Sequence, residues 1–255
     1  MPPRAERAAG GEDASRVARV WKLVIAQAAS RPGRASVADV CTAAAASVDV
    51  SGAWVTAGDG MNPGQAIYAT DLAGESLAEL QITLGEGPCH DAAASGAPVL
   101  AANLADASGN QWAVFAEAAV RAGAAAVFAL PLRVGAIRVG VLGLYRDKVG
   151  PLDTLQLGNA LILADIATML LLDAEARQAD DPLVGAPPAS QSPGLAAHHA
   201  EIAQATGMLT EQLGVGITEA FARLRAYAYV QDRRLSDIAH EIVTRRLRLE
   251  PDPPG

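Results

Sequence analysis

Residues 125–146 read AAVFALPLRVGAIRVGVLGLYR, and this stretch decides the fold class of the N-terminal part of the chain. Two apolar runs, 125–134 and 137–146, flank a short turn around Gly135. Because both runs are apolar on both faces, they predict two neighbouring strands in the middle of a sheet that is covered on each side. The short turn makes the pair an antiparallel hairpin.

The segments around this hairpin alternate between helical and extended patterns. Apolar spacing and N-cap residues predict helices at 14–29, 36–47, 73–83, 111–122 and 152–177. Two short strands are predicted at 52–57 and 65–70, joined by a turn rich in Gly, Asn and Pro. Together these elements predict an α+β domain over residues 14–178, in which an antiparallel sheet is flanked by helices.

The chain changes character after this domain. Residues 179–194 contain four prolines and no periodic apolar pattern, which predicts a solvated linker. Residues 195–250 show only helical spacing and predict a small all-α domain of three helices, the last with Ser236 as its N-cap. So small a core is marginal alone, so further burial is expected, most simply from dimerisation. The start, 1–13, and the tail, 251–255, are predicted to be disordered.

Charge and composition restrict the partners of each part. The net charge is −8, but residues 182–255 hold seven Arg against eight acidic residues, so the acidity belongs mainly to the first domain. The near-neutral second domain therefore does not exclude a nucleic-acid partner. The start of the chain lacks the apolar segment of a signal peptide, and the longest apolar stretch, 160–172, is too short to span a bilayer. These features predict a cytoplasmic protein without a membrane partner.

Short motifs distributed through residues 14–176 give a more specific indication. They read Leu84-Gly85-Glu86-Gly87-Pro88-Cys89, Trp112-x-x-Phe115-x-x-x-Ala119-x-x-x-Gly123, Leu130-Pro131-Leu132-Arg133-Val134-Gly135 and Gly140-Val141-Leu142-Gly143-Leu144-Tyr145. In this order they resemble the GAF fold, a small-molecule sensor domain. The resemblance implies a ligand in the first domain, but it leaves the ligand and any cofactor unknown.

Three linked motifs occupy the helical domain. They read Ala205-Thr206-Gly207-Met208-Leu209, Ala220-Phe221-x-x-Leu224-Arg225-x-x-Ala228 and Arg234-Leu235-x-x-Ile238-Ala239-x-x-Ile242-Val243. Their order and spacing resemble the ANTAR domain of bacterial antiterminators. The resemblance implies binding of short RNA hairpins in nascent messenger RNA, which displaces a terminator so that transcription continues.

The candidate RNA contacts follow from the chemistry of loop recognition. Loop RNA is read by hydrogen bonds, stacking and Arg planes, and a Gly permits close approach. The candidates are Ala205, Thr206, Gly207, Arg225, Tyr229, Arg233 and Arg234. Thr206 stands where the family usually has a basic residue, so either a phosphate contact is lost or the hydroxyl makes a shorter one. The alternative for the Arg residues is a solvated face, and Arg245 is spaced for an i,i+4 pair with Glu241.

The first domain offers one residue that suggests chemistry. Cys89 follows a Gly-rich loop and precedes His90, an arrangement compatible with structural packing, with redox or ligand sensing, or with thiol catalysis. Large aromatics that could line a ligand cavity, or simply form core, are Trp54, Trp112 and Phe115. We predict no catalytic residues and no metal site, because no phosphate-binding Gly motif, metal cluster or Ser/His/Asp arrangement is present.

Two functions of different classes remain. The leading hypothesis is a homodimer whose sensor domain responds to a small molecule or redox signal and controls RNA binding by the helical domain. The alternative is a dimeric protein-interaction adaptor whose helical module no longer binds RNA, for which Thr206 and the balanced charge are the support. An enzyme that uses Cys89 ranks third.

Overall fold

A computed structural model describes residues 4–30, 33–58, 65–107, 111–180 and 193–250 of the chain. Its helices are α1 (Arg4–Ala28), α2 (Val37–Val48), α3 (Leu72–Leu84), α4 (Pro88–Ser95), α5 (Leu104–Ala107), α6 (Ala113–Arg121), α7 (Thr154–Asp180), α8 (Pro193–Leu213), α9 (Ile217–Val230) and α10 (Leu235–Val243). Its strands are β1 (Gly52–Ala57), β2 (Gln65–Ala69), β3 (Val99–Ala101), β4 (Ala126–Val134) and β5 (Ile137–Arg146).

The five strands form one antiparallel sheet in the order β2-β1-β5-β4-β3. The β4–β5 hairpin lies inside this sheet, with Leu130 paired to Leu142, and β5 is its middle strand. The prediction of a central, covered hairpin is therefore confirmed, and so is the fold class: an α+β domain followed by three helices.

Side chains of the sheet contribute to two separate cores because successive residues of a strand point to opposite faces. Along β4, Phe128 and Leu130 enter the core shared with α1, α2 and α7. Val127 and Ala129 enter the core shared with α3, α4 and α6. The sheet is thus covered on both sides, and the second core is the one that adjoins the helical module.

Helix boundaries differ from the prediction at the domain ends. Helix α1 begins at Arg4, so residues 4–13, predicted to be disordered, belong to a helix. Helices α7 and α8 extend into the predicted linker from both sides, while residues 181–192 and the predicted tail, 251–255, lie outside the described residues.

Three short elements between α3 and α6 were not predicted. They are α4, β3 and α5. Each is too short to show a clear period. Pro88, at the end of the Gly-rich loop, occupies the first turn of α4, where a missing N–H costs nothing.

Helix α7 is the one helix in the described ranges that is long and apolar enough to cross a membrane, by length and composition only. The apolar stretch 160–172, predicted above to be too short to span a bilayer, is only part of this helix. In α7, the side chains of Ala160, Leu163 and Ala167 are fully buried in the core that this helix forms with α1, α2 and the sheet. One side of α7 therefore belongs to the core, whereas Leu161 and Met169 are exposed.

Arg146, at the end of β5, is a buried charge that donates four hydrogen bonds. Its Nε donates to the carbonyl of Asp49 at 2.7 Å, and its Nη2 donates to the carbonyl of Val48 and to Gln156 Oε1, both at 2.9 Å. Its Nη1 donates to the carbonyl of Pro151 at 3.2 Å. The side chain therefore ties the end of α2 to the sheet and to the segment that leads into α7.

The three C-terminal helices enclose a core of their own, to which the sensor domain adds. Fully buried side chains such as Leu209, Leu224 and Ile238 form this core, and Ile82 of α3 packs against it. In the other direction, Leu195 of α8 is buried in the second core of the sensor domain. The further burial expected for so small a domain is therefore found within the chain, where dimerisation had been the simplest expectation.

Candidate functional site

Three predicted RNA-contact residues lie on the side of the helical module that faces α3. Arg225 and Tyr229 are one turn apart on α9, and Arg234 is the N-cap of α10. Tyr229 borders two open grooves, of about 210 and 370 Å³, that run between α9 and the sensor domain. The side chain of Tyr229 is still 54% exposed, so it remains available for stacking.

Arg234 is held by two carboxylates of the sensor domain. Its Nε donates to Glu79 Oε2 and its Nη2 to Glu75 Oε1, each at 2.8 Å. Burial lowers the pKa of Arg234, but the hydrogen bonds and charges of Glu75 and Glu79 outweigh it and raise that pKa overall. Glu75 and Glu79 are four residues apart, so they present their carboxylates on one face of α3. The Arg234 guanidinium therefore stays charged and forms ion pairs that join the two domains.

Glu79 also caps helix α10. The backbone N–H of Ser236 donates to Glu79 Oε1 at 2.7 Å. The prediction of Ser236 as N-cap is wrong, because the helix begins at Leu235 and Arg234, which takes the N-cap position, makes no side-chain cap. The Ser236 N–H in the first turn of α10 thus has its acceptor in the other domain, where a local N-cap side chain would otherwise supply one.

Arg225 makes the second contact with α3. Its Nε donates to the backbone carbonyl of Thr83 at 2.9 Å, one of the last carbonyls of that helix. A cation is favourable there because the C-terminus of a helix carries partial negative charge. The guanidinium also lies over the ring of Phe221, 5.8 Å from its centroid, and it fills the space that a side chain at Gly85 would need. Burial lowers the pKa of Arg225.

Arg233 also lines the smaller of the two grooves, beside Tyr229 and Arg234, but its guanidinium is held within the helical module. It forms a two-pronged pair with Glu241, at 2.8 and 3.1 Å, and the hydrogen bond to Glu241 raises the pKa of Arg233. The predicted Glu241–Arg245 pair is wrong, because α10 ends at Val243 and Arg245 takes a left-handed conformation with φ of 59°. The i,i+4 rule holds only while the helix continues.

The candidates on α8 are not brought to the same face. The side chains of Ala205 and Thr206 are buried, and Thr206 Oγ1 donates to the carbonyl of Ile202 at 2.7 Å, so this hydroxyl is turned away from any phosphate. Gly207 borders a separate open groove of about 780 Å³, which Arg245 and Arg248 also line. Neither Arg was among the predicted RNA contacts, although Arg245, Arg246 and Arg248 are clustered in the sequence.

The four sensing candidates of the first domain do come together. Trp54, Cys89, Trp112 and Phe115 all belong to the second core. The Cys89 N–H donates to Gln81 Oε1 at 2.7 Å, and burial raises the pKa of the Cys89 thiol to about 12. The thiol is therefore protonated at neutral pH, which opposes nucleophilic or redox chemistry.

Comparison with known families identifies both parts of the chain. The GAF domain family matches residues 33–172, and the ANTAR domain family matches residues 196–243. The chain is a GAF–ANTAR protein. Both resemblances drawn from the motifs are confirmed, and the pair of domains makes the protein, in general terms, a signal-sensing RNA-binding regulator.

Comparisons with individual proteins add little to this family assignment. No curated protein matches the GAF–ANTAR protein. Among solved structures, a domain of a two-component sensor histidine kinase protein from Sinorhizobium meliloti 1021 is 18% identical, with a TM-score of 0.45 over 55% of this chain and 91% of that one. The GAF domain of an Acinetobacter phosphoenolpyruvate-protein phosphotransferase is 12% identical, with a TM-score of 0.48 over 66% and 98%. Neither similarity is close enough to indicate a ligand.

Glu86, in the Gly-rich loop of the GAF domain, is used for structure. Its Oε1 accepts the N–H of Val114 at 3.1 Å and that of Phe115 at 2.9 Å, which caps the first turn of α6. In the part of the chain that the structure describes, no group of three His, Cys, Asp or Glu side chains could hold a metal ion.

We expect Cys89 to resist alkylation in the folded protein. Iodoacetamide at pH 8 should label it only after unfolding, because the buried thiol stays protonated. Its pKa is raised from 9.0 to about 12 by folding, so this group favours the folded state below pH 9 and that contribution is lost as the pH rises toward 12. Peptide mass spectrometry after timed labelling measures the rate, and labelling as fast as that of a free thiol would contradict the prediction.

Proposed function

We propose that the GAF–ANTAR protein is a cytoplasmic, homodimeric transcription antitermination regulator. Its ANTAR domain binds hairpins in nascent messenger RNA, and its GAF domain detects the signal that controls this binding. The observation that carries the proposal is the ANTAR match over residues 196–243, combined with the clustering of Arg225, Tyr229 and Arg234 on one face of that domain.

The residue types on this face suit RNA. Arg guanidinium groups bind phosphates and guanine edges through paired N–H donors, and a Tyr ring stacks on an unpaired base. With seven Arg against eight acidic residues in 182–255, the domain has no strong overall field. Affinity would therefore depend on these few side chains more than on bulk attraction.

The signal and the dimer are supported by different observations. The raised pKa of Cys89 favours a small molecule over a redox signal. For the dimer, exposed apolar side chains on the two outer helices, Val17 and Ile25 of α1 and Leu161 and Met169 of α7, offer a surface for a second copy.

Binding of the full chain to a two-hairpin leader RNA tests the RNA claim. We expect specific binding at ~50 mM salt and a loss of about tenfold or more at ~200 mM, because Arg–phosphate contacts release counterions. An RNA of the same length without hairpins is the control. Absence of specific affinity for any such leader at low salt would remove the RNA claim.

Transcription through a terminator placed after the same leader tests the antitermination claim. Readthrough should rise when the protein is added, and a leader with both hairpins disrupted should show no rise. A dimeric protein that neither binds the leader RNA nor raises readthrough would favour the adaptor alternative.

A further inference from the structure

The N-terminus of α10 has the features of an anion site. It presents the N–H of Ser236 and the guanidinium of its N-cap residue, Arg234, and a helix N-terminus attracts negative charge. Ser236 is 3% exposed and lines the small cavity beside them, and its buried hydroxyl has no hydrogen-bond partner among the residues that the structure describes. Three donor groups of the ANTAR domain thus converge on one place.

This site is filled by the GAF domain. The two oxygens of Glu79 accept from Arg234 and from the Ser236 N–H, and Glu75 accepts from Arg234 as well. A carboxylate that spans a guanidinium and a helix N-terminus makes the contacts that a phosphate would make. The acidic face of α3 therefore imitates an RNA backbone.

We propose that the N-terminus of α10 is a phosphate-binding site for RNA, and that α3 of the GAF domain competes with RNA for it. The inference rests on the proposed RNA-binding function and adds where the backbone is held and how binding is controlled. In the arrangement described by the structure the site is closed.

The space beside Ser236 is too small to hold a phosphate together with the two carboxylates. The cavity between the domains, which Glu75, Glu79 and Ser236 line, is only about 40 Å³, enough for about one or two water molecules and too small for a nucleotide phosphate. Arg225 lines a larger, open groove, but its Nε is occupied by the carbonyl of Thr83. Both guanidinium groups also line the open grooves beside Tyr229, but the donors that Glu75, Glu79 and the Thr83 carbonyl occupy become free for RNA only when α3 moves away.

The two faces of α3 connect this site to the sensor core. Leu77 is fully buried in that core, and Gln81 accepts the N–H of Cys89 within it. Glu75 and Glu79 on another face of the helix hold the ANTAR domain. A ligand that shifts the packing around Cys89 would move the helix that carries both carboxylates, which gives the signal a route to the RNA site.

Removing the two negative charges tests the proposal in the full chain. The double variant Glu75→Gln with Glu79→Gln, the release variant, keeps the side-chain shapes but removes the charges that pair with Arg234. The probe is a pool of transcripts that carry two hairpins with randomised loops. We expect binding about tenfold tighter than that of the native chain, the gain expected if about a tenth of native molecules are open.

A matched control separates the effect of breaking the α3–α10 contact from the effect of a change in net charge. Glu117→Gln with Glu175→Gln changes the net charge equally at exposed positions on α6 and α7. This variant should bind within about threefold of the native chain, since distant surface charges are screened. Amide exchange at Ser236 provides a second readout, and it should be faster in the release variant than in the control.

The outcomes are distinct. Tighter binding by the release variant alone supports the proposal. Equal gains in both variants, or native RNA binding without any gain, overturn the competition while leaving the proposed function standing. Absence of RNA binding in all three proteins overturns the proposed function and this inference with it.

Discussion

Arg146→Met is expected to lower the free energy of unfolding of the GAF domain by about 3–5 kcal/mol. The native side chain is 5% exposed and satisfies three backbone carbonyls, those of Val48, Asp49 and Pro151. A Met side chain replaces the apolar stem but leaves these carbonyls without their donor. Two of them stand at the end of α2, where the partial negative charge of the helix increases the cost.

Chemical denaturation followed by tryptophan fluorescence measures this loss for the GAF domain alone, because all three tryptophans, Trp21, Trp54 and Trp112, belong to it. Arg133→Met is the control. Arg133 is exposed on the same hairpin and makes one long hydrogen bond, at 3.5 Å, so its loss should change the free energy by less than about 0.5 kcal/mol. Equal effects of the two substitutions would show that the Arg146 contacts contribute nothing specific.

The elements predicted well are those whose pattern is decided locally. The central hairpin agrees with the structure to within one residue, because two apolar runs around Gly135 permit only one pairing. The three C-terminal helices follow from apolar spacing that stops at Gly214 and at the polar turn after Val230. A strand of three residues, such as β3, and a helix of about two turns, such as α4, are too short to show a clear period.

The sequence named Arg225, Tyr229 and Arg234 as candidate contacts, but it did not predict which groups of the chain they meet. Glu79 lies 155 residues before Arg234, and no local pattern indicates that they meet. Thr206 was considered a phosphate contact because of its place in the motif, yet its position on α8 turns it into the core. Sequence motifs thus located the ANTAR domain, whereas the contact that covers its basic face depends on tertiary packing.

Arg234→Ala is expected to weaken RNA binding by about ten- to hundredfold when Glu75 and Glu79 are both already changed to Gln, the range for loss of one or two charged contacts. In the native chain the same substitution should have a smaller effect, because it removes a phosphate contact and also breaks the ion pairs that close the site. Circular dichroism should show unchanged helix content in both backgrounds.

The difference between the two backgrounds measures the competition directly. If Arg234 only bound RNA, its replacement would weaken RNA binding by the same factor with or without the two glutamates. The effects of the two changes on the binding free energy would then be additive. Because one guanidinium cannot hold both α3 and a phosphate, the changes should instead be coupled. Arg223→Ala removes an equal charge from a position on α9 that pairs with Glu219, so its effect should be the same in both backgrounds. Additive effects of Arg234→Ala would mean that the closed contact and the RNA site are different surfaces.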